Sequence, residues 1–391
     1  MAAGTSGKPA RNPHRVLTLF GTRPEIIKLA PVIRAMEARA DIFETVNVAS
    51  GQHSELLPPF LDELALRLDH DLGVGRPDQT PSDIAGRVLA AFGELIDRVE
   101  PDAILVQGDT TTALAGALAA FHARVPVGHV EAGLRSGDPD SPFPEEMNRR
   151  LISRMASLHF AATAGNRDTL LAEGVAGDRI ALTGNPVVDS VHWAMESRQP
   201  SDRVAEIFSW LGDRKLLLLT THRRESFGPV MESRMRALAE FSAAHAEIAL
   251  VFPVHPNPGV ADRAKRLLGS SESVLLVPPL QYIDFIHLMA RAWLIVSDSG
   301  GIQEETPSLG KPLLLIRENT ERPEALESGA VRLVAGSGSE LLAQLDAVHG
   351  DDAWAQGVAR IPNPFGEGDA GARVADALAA FLDSVSESVK C

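Results

Sequence analysis

The chain has little of what several classes of protein require. It contains one cysteine, Cys391, among 391 residues, which excludes an internal disulfide framework and a cysteine-based zinc site and favours a reducing compartment. One tyrosine and four tryptophans argue against a nucleic-acid surface built from stacked aromatic rings. No apolar run approaches the ~20 residues that a membrane-spanning helix needs. The chain is therefore expected to be a protein without membrane or nucleic-acid partners.

The chain also lacks positive charge overall. Its formal net charge is −15, which opposes binding to nucleic acid or to an anionic membrane surface. An anionic substrate would need a site that concentrates positive charge against this field. The first residues are polar and carry no apolar signal core, so we expect a disordered tail on a cytoplasmic protein.

Short apolar segments alternate with helical ones along the chain, which predicts an α/β fold with parallel sheets covered on both faces. The pattern "VLTLFGTRPEIIK", "AILVQGD", "VPVGHVEAG" restarts at "KLLLLTTHRRES" and runs to "KPLLLIREN". A length of 391 residues is also too great for one ordinary core. We predict a tail over 1–14, Rossmann-like domains over 15–188 and 189–368, and a helix over 369–388 that packs back on the first domain.

Polar side chains follow the predicted strands at their carboxyl ends. They are Arg23, Asp109, Glu131, His222, His255 and Ser299. Ligands of open α/β sheets bind beyond these ends. The sequence therefore predicts one site in a cleft between two facing sheets.

Carboxylates are concentrated in "HVEAGLRSGDPDSPFPEEMNRR" (129–150) and next to it. Asp109 in "QGDTTT" either caps the following helix or acts as a general base, and the spacing alone does not choose. Glu145 either belongs to a site or simply opens a helix after Pro144. The spacing of histidine, cysteine and acidic residues matches no metal motif. The residues alone leave these alternatives open.

Two glycine turns lie at predicted strand-to-helix junctions, where backbone N–H groups favour anions. In "GTRPEIIK", Gly21 permits close approach, and Arg23 and Lys28 could neutralise a phosphate, although an ordinary turn explains the pattern too. In "SDSGGIQEE", Ser299 and two glycines offer a hydroxyl and bare N–H groups. In "TTHRRESFG", an imidazole stands beside two arginines and could donate a hydrogen bond to a diphosphate.

Taken in order, these segments resemble the non-hydrolysing UDP-N-acetylglucosamine 2-epimerases over nearly the whole chain. The specific matches are "GDTTTALAGALAAF", "VPVGHVEAGLR", "PFPEEMNR", "HRRESFG" and "SDSGGIQEETPSLGKP". The resemblance implies the two-domain GT-B fold and inversion of carbon 2 of the sugar. It also implies elimination of UDP to a 2-acetamidoglucal and re-addition with the opposite configuration, with no metal or nicotinamide cofactor.

The resemblance also implies roles for individual residues. The acids and the histidine of the catalytic group are Asp109, Glu131, Glu145 and His222. The residues that contact the nucleotide or phosphates are Arg23, Lys28, Phe285, Ser299, Gly300, Gly301, Glu305 and Arg322. A second site, for UDP-N-acetylglucosamine as an effector, would use Gln52, His53, Arg76, Glu146, Arg149 and His255. Members of the family are commonly homodimers.

The chain departs from the family at a few of these positions. A glutamine found near the uracil in some members is Leu280 here, and the residues after His53 begin with Ser54. Where a family arginine contacts the effector phosphates, this chain has Asp78, with Arg76 two positions earlier. Losing that contact predicts weaker effector binding by about 1.5–3 kcal/mol.

Other functions stay open on the same residues. A hydrolysing epimerase would release N-acetylmannosamine, although "GTRPE" favours the non-hydrolysing branch. An epimerase of a modified UDP-sugar and an inverting glycosyltransferase share the fold. A UDP-sugar sensor would need the phosphate contacts but not the acids.

Overall fold

Short, mainly apolar segments form most of the strands, as expected of sheets that are buried on both faces. The computed structural model describes residues 12–52, 57–221, 228–254, 258–269 and 271–388. Its strands are β1 (His14–Phe20), β2 (Phe43–Ala49), β3 (His70–Asp71), β4 (Ala103–Gln107), β5 (Val127–Ala132), β6 (Leu158–Ala161), β7 (Ile180–Leu182), β8 (Lys215–Thr220), β9 (Ile248–Pro253), β10 (Val274–Val277), β11 (Leu294–Ser297), β12 (Leu313–Leu315) and β13 (Val331–Leu333).

Helices connect these strands, and several begin at a threonine or asparagine cap or with proline in their first turn. They are α1 (Arg23–Glu37), α2 (Leu57–Glu63), α3 (Pro81–Val99), α4 (Thr111–His122), α5 (Glu145–Met155), α6 (Ala164–Ala172), α7 (Pro186–Ser197), α8 (Asp202–Leu211), α9 (Pro229–Ala244), α10 (Pro258–Leu268), α11 (Tyr282–Arg291), α12 (Gly300–Glu305), α13 (Pro323–Glu327), α14 (Gly338–Gly350), α15 (Ala353–Gly357) and α16 (Ala370–Ser388). Short 3₁₀ turns lie at Gly177–Arg179, Pro307–Leu309 and Val358–Arg360.

The first of two compact units, unit 1, comprises Met1–Gly133, Asp138–Thr183 and Ala370–Cys391. Its sheet has the strand order β3-β2-β1-β4-β5-β6-β7, and every pair is parallel. Because β1, β4 and β5 are consecutive in this sheet, the residues at and just beyond their carboxyl ends come together at one edge. The carboxyl ends of these three strands therefore bring Arg23, Asp109 and Glu131 to the same part of unit 1.

The second compact unit, unit 2, comprises Leu134–Gly137 and Gly184–Asp369. Its parallel sheet has the order β10-β9-β8-β11-β12-β13. Buried Leu217, Phe241 and Phe252 belong to its core, which the helices α9 and α14 cover on one side. Strands β8 and β11 are neighbours, so the loops after Thr220 and Ser297 begin side by side.

The last helix, α16, returns to unit 1 and packs on α1. Gly371 lies so close to Pro31 that an added Cβ would be 2.6 Å from the Pro31 carbonyl oxygen. At the rim of this contact, Arg39 forms an ion pair of 2.6 Å with Asp376. No helix among the described residues is long and apolar enough to cross a membrane.

Candidate active site

Glu131 occupies an irregular position in strand β5. The pairing of β5 with β6 shifts register between Val130 and Ala132, so Glu131 is the extra residue of a bulge. Its φ is 64°, in the left-handed region, which costs a residue with a side chain roughly 1–2 kcal/mol. Such strain is typical of functional sites, where the surrounding structure maintains it.

Two side chains from neighbouring elements bind the Glu131 carboxylate. The Lys28 ammonium of α1 donates to Oε1, and the Gln107 amide at the end of β4 donates to Oε2. The Lys28 and Glu131 side chains are each 8% exposed. A charged pair that is this buried interacts strongly, because water screens it little. Lys28 therefore neutralises a carboxylate of the protein itself.

Asp109 lies two residues beyond the end of β4, the strand that pairs with β5. Its carboxylate Oδ2 is 2.6 Å from Nη2 of Arg149 on α5. The Asn148 side-chain amide donates to the Asp109 carbonyl over 2.8 Å. The cap of α4 is Thr110, whose hydroxyl accepts from the backbone N–H of Ala113. The sequence left two roles open for Asp109, helix cap or general base. The cap of α4 is Thr110, so Asp109 does not have the capping role.

Helix α5 begins at Glu145 and carries the rest of the acid-rich segment. Glu145 is half-buried, whereas Glu146 is fully buried and lies 2.7 Å from Nη2 of Arg150. Glu146 is also 3.6 Å from Nη1 of Arg149, which pairs with Asp109. Arg149 thus connects a residue predicted for catalysis with one predicted for an effector site.

The "GTRPE" turn is organised around a buried carboxylate. Glu25 Oε2 accepts from the backbone N–H groups of Gly21 and Thr22, over 3.0 and 2.7 Å, and from the Thr22 hydroxyl over 2.8 Å. Its Oε1 accepts from Thr110 over 2.7 Å. This is a capping box extended to a second helix. The N–H groups that we expected to face a phosphate are bonded to Glu25.

Gly21 is required at this turn by packing. A Cβ there would lie 2.5 Å from Oγ1 of Thr112 and 2.7 Å from Oγ of Ser50. Arg23, the first residue of α1, is exposed, and its guanidinium carbon lies 4.9 Å from the centre of the Phe60 ring. Of the predicted cations of this turn, Arg23 is the exposed one and Lys28 the buried one.

Burial raises the pKa of Glu25 to about 7, although the hydrogen bonds from Thr110, Gly21 and Thr22 act in the opposite direction. The ordinary value is 4.5. A carboxyl with a higher pKa in the folded state binds its proton more tightly there. Its contribution to stability is complete below pH 4.5 and is lost as the pH rises through about 7.

We therefore expect Glu25→Gln to gain stability relative to the wild type as the pH rises from 4.5 to above 7, by up to roughly 3 kcal/mol. Denaturant unfolding at several pH values measures the free energy of unfolding of both proteins. The other titrating groups are common to both, so their contributions cancel in the difference. Glu37→Gln, which changes an exposed acid of the same helix, serves as the control. A pH-independent difference between Glu25→Gln and wild type would contradict the assignment.

In unit 2 the predicted phosphate loop lies between β11 and α12. The Ser299 N–H donates to Oγ of Ser297 over 3.0 Å, and Asp298 accepts from the Thr221 hydroxyl over 2.7 Å. Gly300 and Gly301 form the first turn of α12, and Glu305 ends it, buried. The serine, the two glycines and the acid therefore belong to one short strand-to-helix connection.

Arg322 lies against this connection in a buried ion-pair cluster. Its guanidinium donates through Nε to Glu304 and, over 2.6 Å, through Nη1 to Glu321. Arg317 lies 2.9 Å from the other oxygen of Glu321. Burial acts to raise the pKa of that carboxyl, but the charges of Arg322 and Arg317 together hold it well below its usual range. A Cβ on Gly300 would be 2.9 Å from Nη1 of Arg322. Glycine at 300 therefore makes room for the guanidinium.

The remaining predicted residues belong to the proposed uracil neighbourhood or to the proposed effector site, or lie outside the described residues. Phe285 is half-buried on α11, and Leu280 is buried just before that helix. Gln52 Oε1 lies 3.4 Å from the Thr112 hydroxyl, and exposed Arg76 donates to the carbonyls of its own loop. The predicted residues outside the described part of the chain are His53, His222 and His255.

The sequence analysis did not identify two residues of the site. Glu25 accepts the N–H groups of the "GTRPE" turn, and Gln107 donates to the Glu131 carboxylate. Thr22 and Glu25 have the T-x-x-E spacing of a capping box, so the sequence contained a signal for Glu25. Gln107 is the last residue of an apolar strand, which by itself gives no hint of a partner on the next strand.

Two all-parallel α/β units, each with polar side chains at the carboxyl ends of its strands, place the chain among the two-domain enzymes of the GT-B architecture. Residues 34–379 match the family model described as UDP-N-acetylglucosamine 2-epimerase. The chain belongs to this family. The α/β class predicted from the sequence, with two parallel sheets, and the family resemblance are confirmed.

Individual relatives are similar over nearly their full length. The UDP-N-acetylglucosamine 2-epimerase of Salmonella typhimurium is 44% identical over 376 residues, which cover 95% of this chain and 100% of that one. The enzyme of the same name from Bacillus subtilis is 40% identical and covers 93% of this chain and 94% of its own. Among solved structures, the Neisseria meningitidis UDP-GlcNAc 2-epimerase bound to UDP-GlcNAc has a TM-score of 0.87 at 37% identity. It covers 93% of this chain and 99% of that one.

Proposed function

We propose that this protein interconverts UDP-N-acetylglucosamine and UDP-N-acetylmannosamine by inverting carbon 2 of the sugar. Family membership supports the reaction, and the arrangement of unit 1 supplies the observation that carries it. Asp109 lies just beyond β4, and Glu131 lies near the carboxyl end of the adjacent strand β5. Each is bound to a cation, Asp109 to Arg149 and Glu131 to Lys28. Carboxylates that the protein keeps in fixed positions are suited to proton transfer.

The proton on carbon 2 is only weakly acidic, so the proposed reaction couples its removal to loss of UDP. A base takes the proton while the bond between carbon 1 and the UDP oxygen breaks, which gives UDP and a 2-acetamidoglucal with a double bond between carbons 1 and 2. In the return step the UDP oxygen attacks carbon 1, and carbon 2 accepts a proton on the opposite face. We assign these proton transfers to the set Asp109, Glu131 and Glu145, with His222 as a further member.

The leaving UDP carries the negative charge, and stabilising it is the second requirement. We assign the phosphates to Ser299, Gly300 and Gly301, with Arg23 and Arg322 as cations. Ribose is assigned to Glu305, whose carboxylate can accept from two hydroxyls, and uracil to the neighbourhood of Phe285. In this assignment Lys28 acts on the nucleotide indirectly, since its ammonium is bound to Glu131.

Products distinguish this function from its nearest rival. Incubation with UDP-N-acetylglucosamine, followed by anion-exchange chromatography and proton NMR, should give UDP-N-acetylmannosamine as the sugar product. Release of free N-acetylmannosamine together with UDP would indicate the hydrolysing reaction. Binding without turnover would favour a modified UDP-sugar as the substrate.

We also propose that the effector response of family members is weak here. Asp78 stands where an arginine would contact the effector phosphates, and Arg76 donates to the carbonyls of Gly73 and Gly75 over 3.0 and 2.6 Å. Conversion of UDP-N-acetylmannosamine should therefore show no sigmoidal onset and little response to added UDP-N-acetylglucosamine. Full dependence on the added sugar would refute this. Loss of that dependence in Arg76→Ala would then show that Arg76 has replaced the missing arginine.

Kinship supports one further feature, assembly as a homodimer. Sedimentation velocity of the purified protein tests it, and a single species at the monomer mass would contradict it.

A further inference from the structure

Three side chains of unit 2 that the proposed reaction does not use form a compact group, the His-Glu-His cluster: His245, Glu247 and His349. One potential ligand atom from each lies within 4.8 Å of the others. Nε2 of His349 is 2.7 Å, and Nδ1 of His245 3.8 Å, from the same carboxylate oxygen of Glu247. The two imidazole side chains are 26% and 24% exposed, and the Glu247 side chain is 55% exposed. The cluster is therefore partly buried and still open to solvent.

The backbone holds these three residues in place. His245 is the C-cap residue that follows α9, Glu247 immediately precedes β9, and His349 lies in the last turn of α14. The His245 carbonyl accepts from Ile248 over 3.0 Å, and the Glu247 carbonyl accepts from Lys215 over 2.8 Å. Helices α9 and α14 pack closely on each other. Sites built on rigid elements keep their ligands in position before the ion arrives.

A fourth residue can orient the first histidine. Oδ1 of Asp346, one turn before His349 on α14, is 3.9 Å from Nε2 of His245, an ion-pair distance that is longer than a hydrogen bond. A carboxylate that accepts the N–H of one ring nitrogen leaves the lone pair on the other nitrogen for a metal. Here that other nitrogen is Nδ1, which faces Glu247.

We propose that the His-Glu-His cluster binds a divalent transition-metal ion, with zinc as the best fit. Two imidazole nitrogens and one carboxylate oxygen are donors that zinc uses in proteins, and the fourth position stays open to water. The cluster lies at the start of β9, whereas the residues assigned to UDP follow the carboxyl ends of the strands. The ion fastens α9 to α14 and takes no part in epimerisation, so the inference does not depend on the proposed function.

Calorimetric titration of zinc chloride into the full-length, chelator-treated protein tests the site. Wild type should show a saturable component with one ion per chain, and the His245→Ala/His349→Ala variant should lose it. His122→Ala, which removes an exposed histidine of unit 1, should keep it. Asp346→Asn should weaken it by about 10–100-fold, because Asp346 acts through His245.

Thermal unfolding gives a second readout. All four tryptophans belong to unit 2, and the Trp293 ring centre is 6.4 Å from that of His349. Zinc should raise the midpoint detected by tryptophan fluorescence in wild type and in His122→Ala but not in the double variant. If the double variant does not fold in chelator, Glu247→Gln takes its place with the same expected loss. Equal binding by wild type and the cluster variant, or no binding by wild type, would overturn the proposal.

Discussion

Replacing Asp109 with asparagine should lower kcat for 2-epimerisation by about 10²–10⁴-fold, the usual contribution of a positioned acid or base. The amide has the same shape but cannot take up or release the proton. In this variant the buried Arg149 loses the Asp109 charge but still has the Glu146 carboxylate at 3.6 Å. We therefore expect the variant to fold. Steady-state rates from NMR time courses, with KM determined separately, measure the change.

The matched control for this variant is Asp140→Asn, which changes an exposed carboxylate of the nearby acid-rich segment. Its kcat should equal that of the wild type. A normal kcat for Asp109→Asn would remove Asp109 from the proton-transferring set. A change confined to KM would instead make it a substrate-binding residue.

Replacing Lys28 with methionine should destabilise unit 1 by about 3–5 kcal/mol, since it leaves the buried Glu131 carboxylate without this cation. Both side chains are 8% exposed, so water compensates poorly for the loss. Denaturant unfolding followed by circular dichroism measures the free energy. The tryptophans, all in unit 2, provide an internal comparison by fluorescence.

A double variant separates the charge from the packing. Lys28→Met/Glu131→Gln removes both members of the pair and should recover most of the lost stability, because neither charge is then left buried alone. It should stay inactive, since Glu131 belongs to the proposed proton-transferring set. A single Lys28→Met variant as stable as wild type would show that the pair contributes little to unit 1.

The strand ends that carry Asp109 and Glu131 were predictable, because polar residues after apolar strands of a parallel sheet gather at one edge. Their partners were not. Lys28 is 103 positions from Glu131, and no local pattern pairs residues at that distance. The bulge at Glu131 depends on the register of β5 against β6, which the sequence of β5 alone does not contain. Thr110 caps α4. The sequence pattern could not distinguish it from its neighbour Asp109, because both side chains can cap a helix.

The prediction that the "GTRPE" turn binds a phosphate shows a second limit of sequence-based inference. A glycine before a helix is compatible with an anion and equally with close packing. Here the neighbours of Gly21, Thr112 and Ser50, make close packing the reason for the glycine. The T-x-x-E spacing was visible in the sequence and identifies the acceptor of the free N–H groups as Glu25. For this turn, the local rule for helix caps was more informative than the general rule for anions.

Proton NMR of UDP-N-acetylglucosamine incubated with the protein in deuterated water tests the central claim most directly. Elimination and re-addition predict deuterium at carbon 2 of the UDP-N-acetylmannosamine product and its gradual appearance in the recovered substrate. Both should vanish in Asp109→Asn and persist in Asp140→Asn. An epimerised product that keeps protium at carbon 2 would contradict proton exchange with solvent and, with it, the role given to the carboxylates of unit 1.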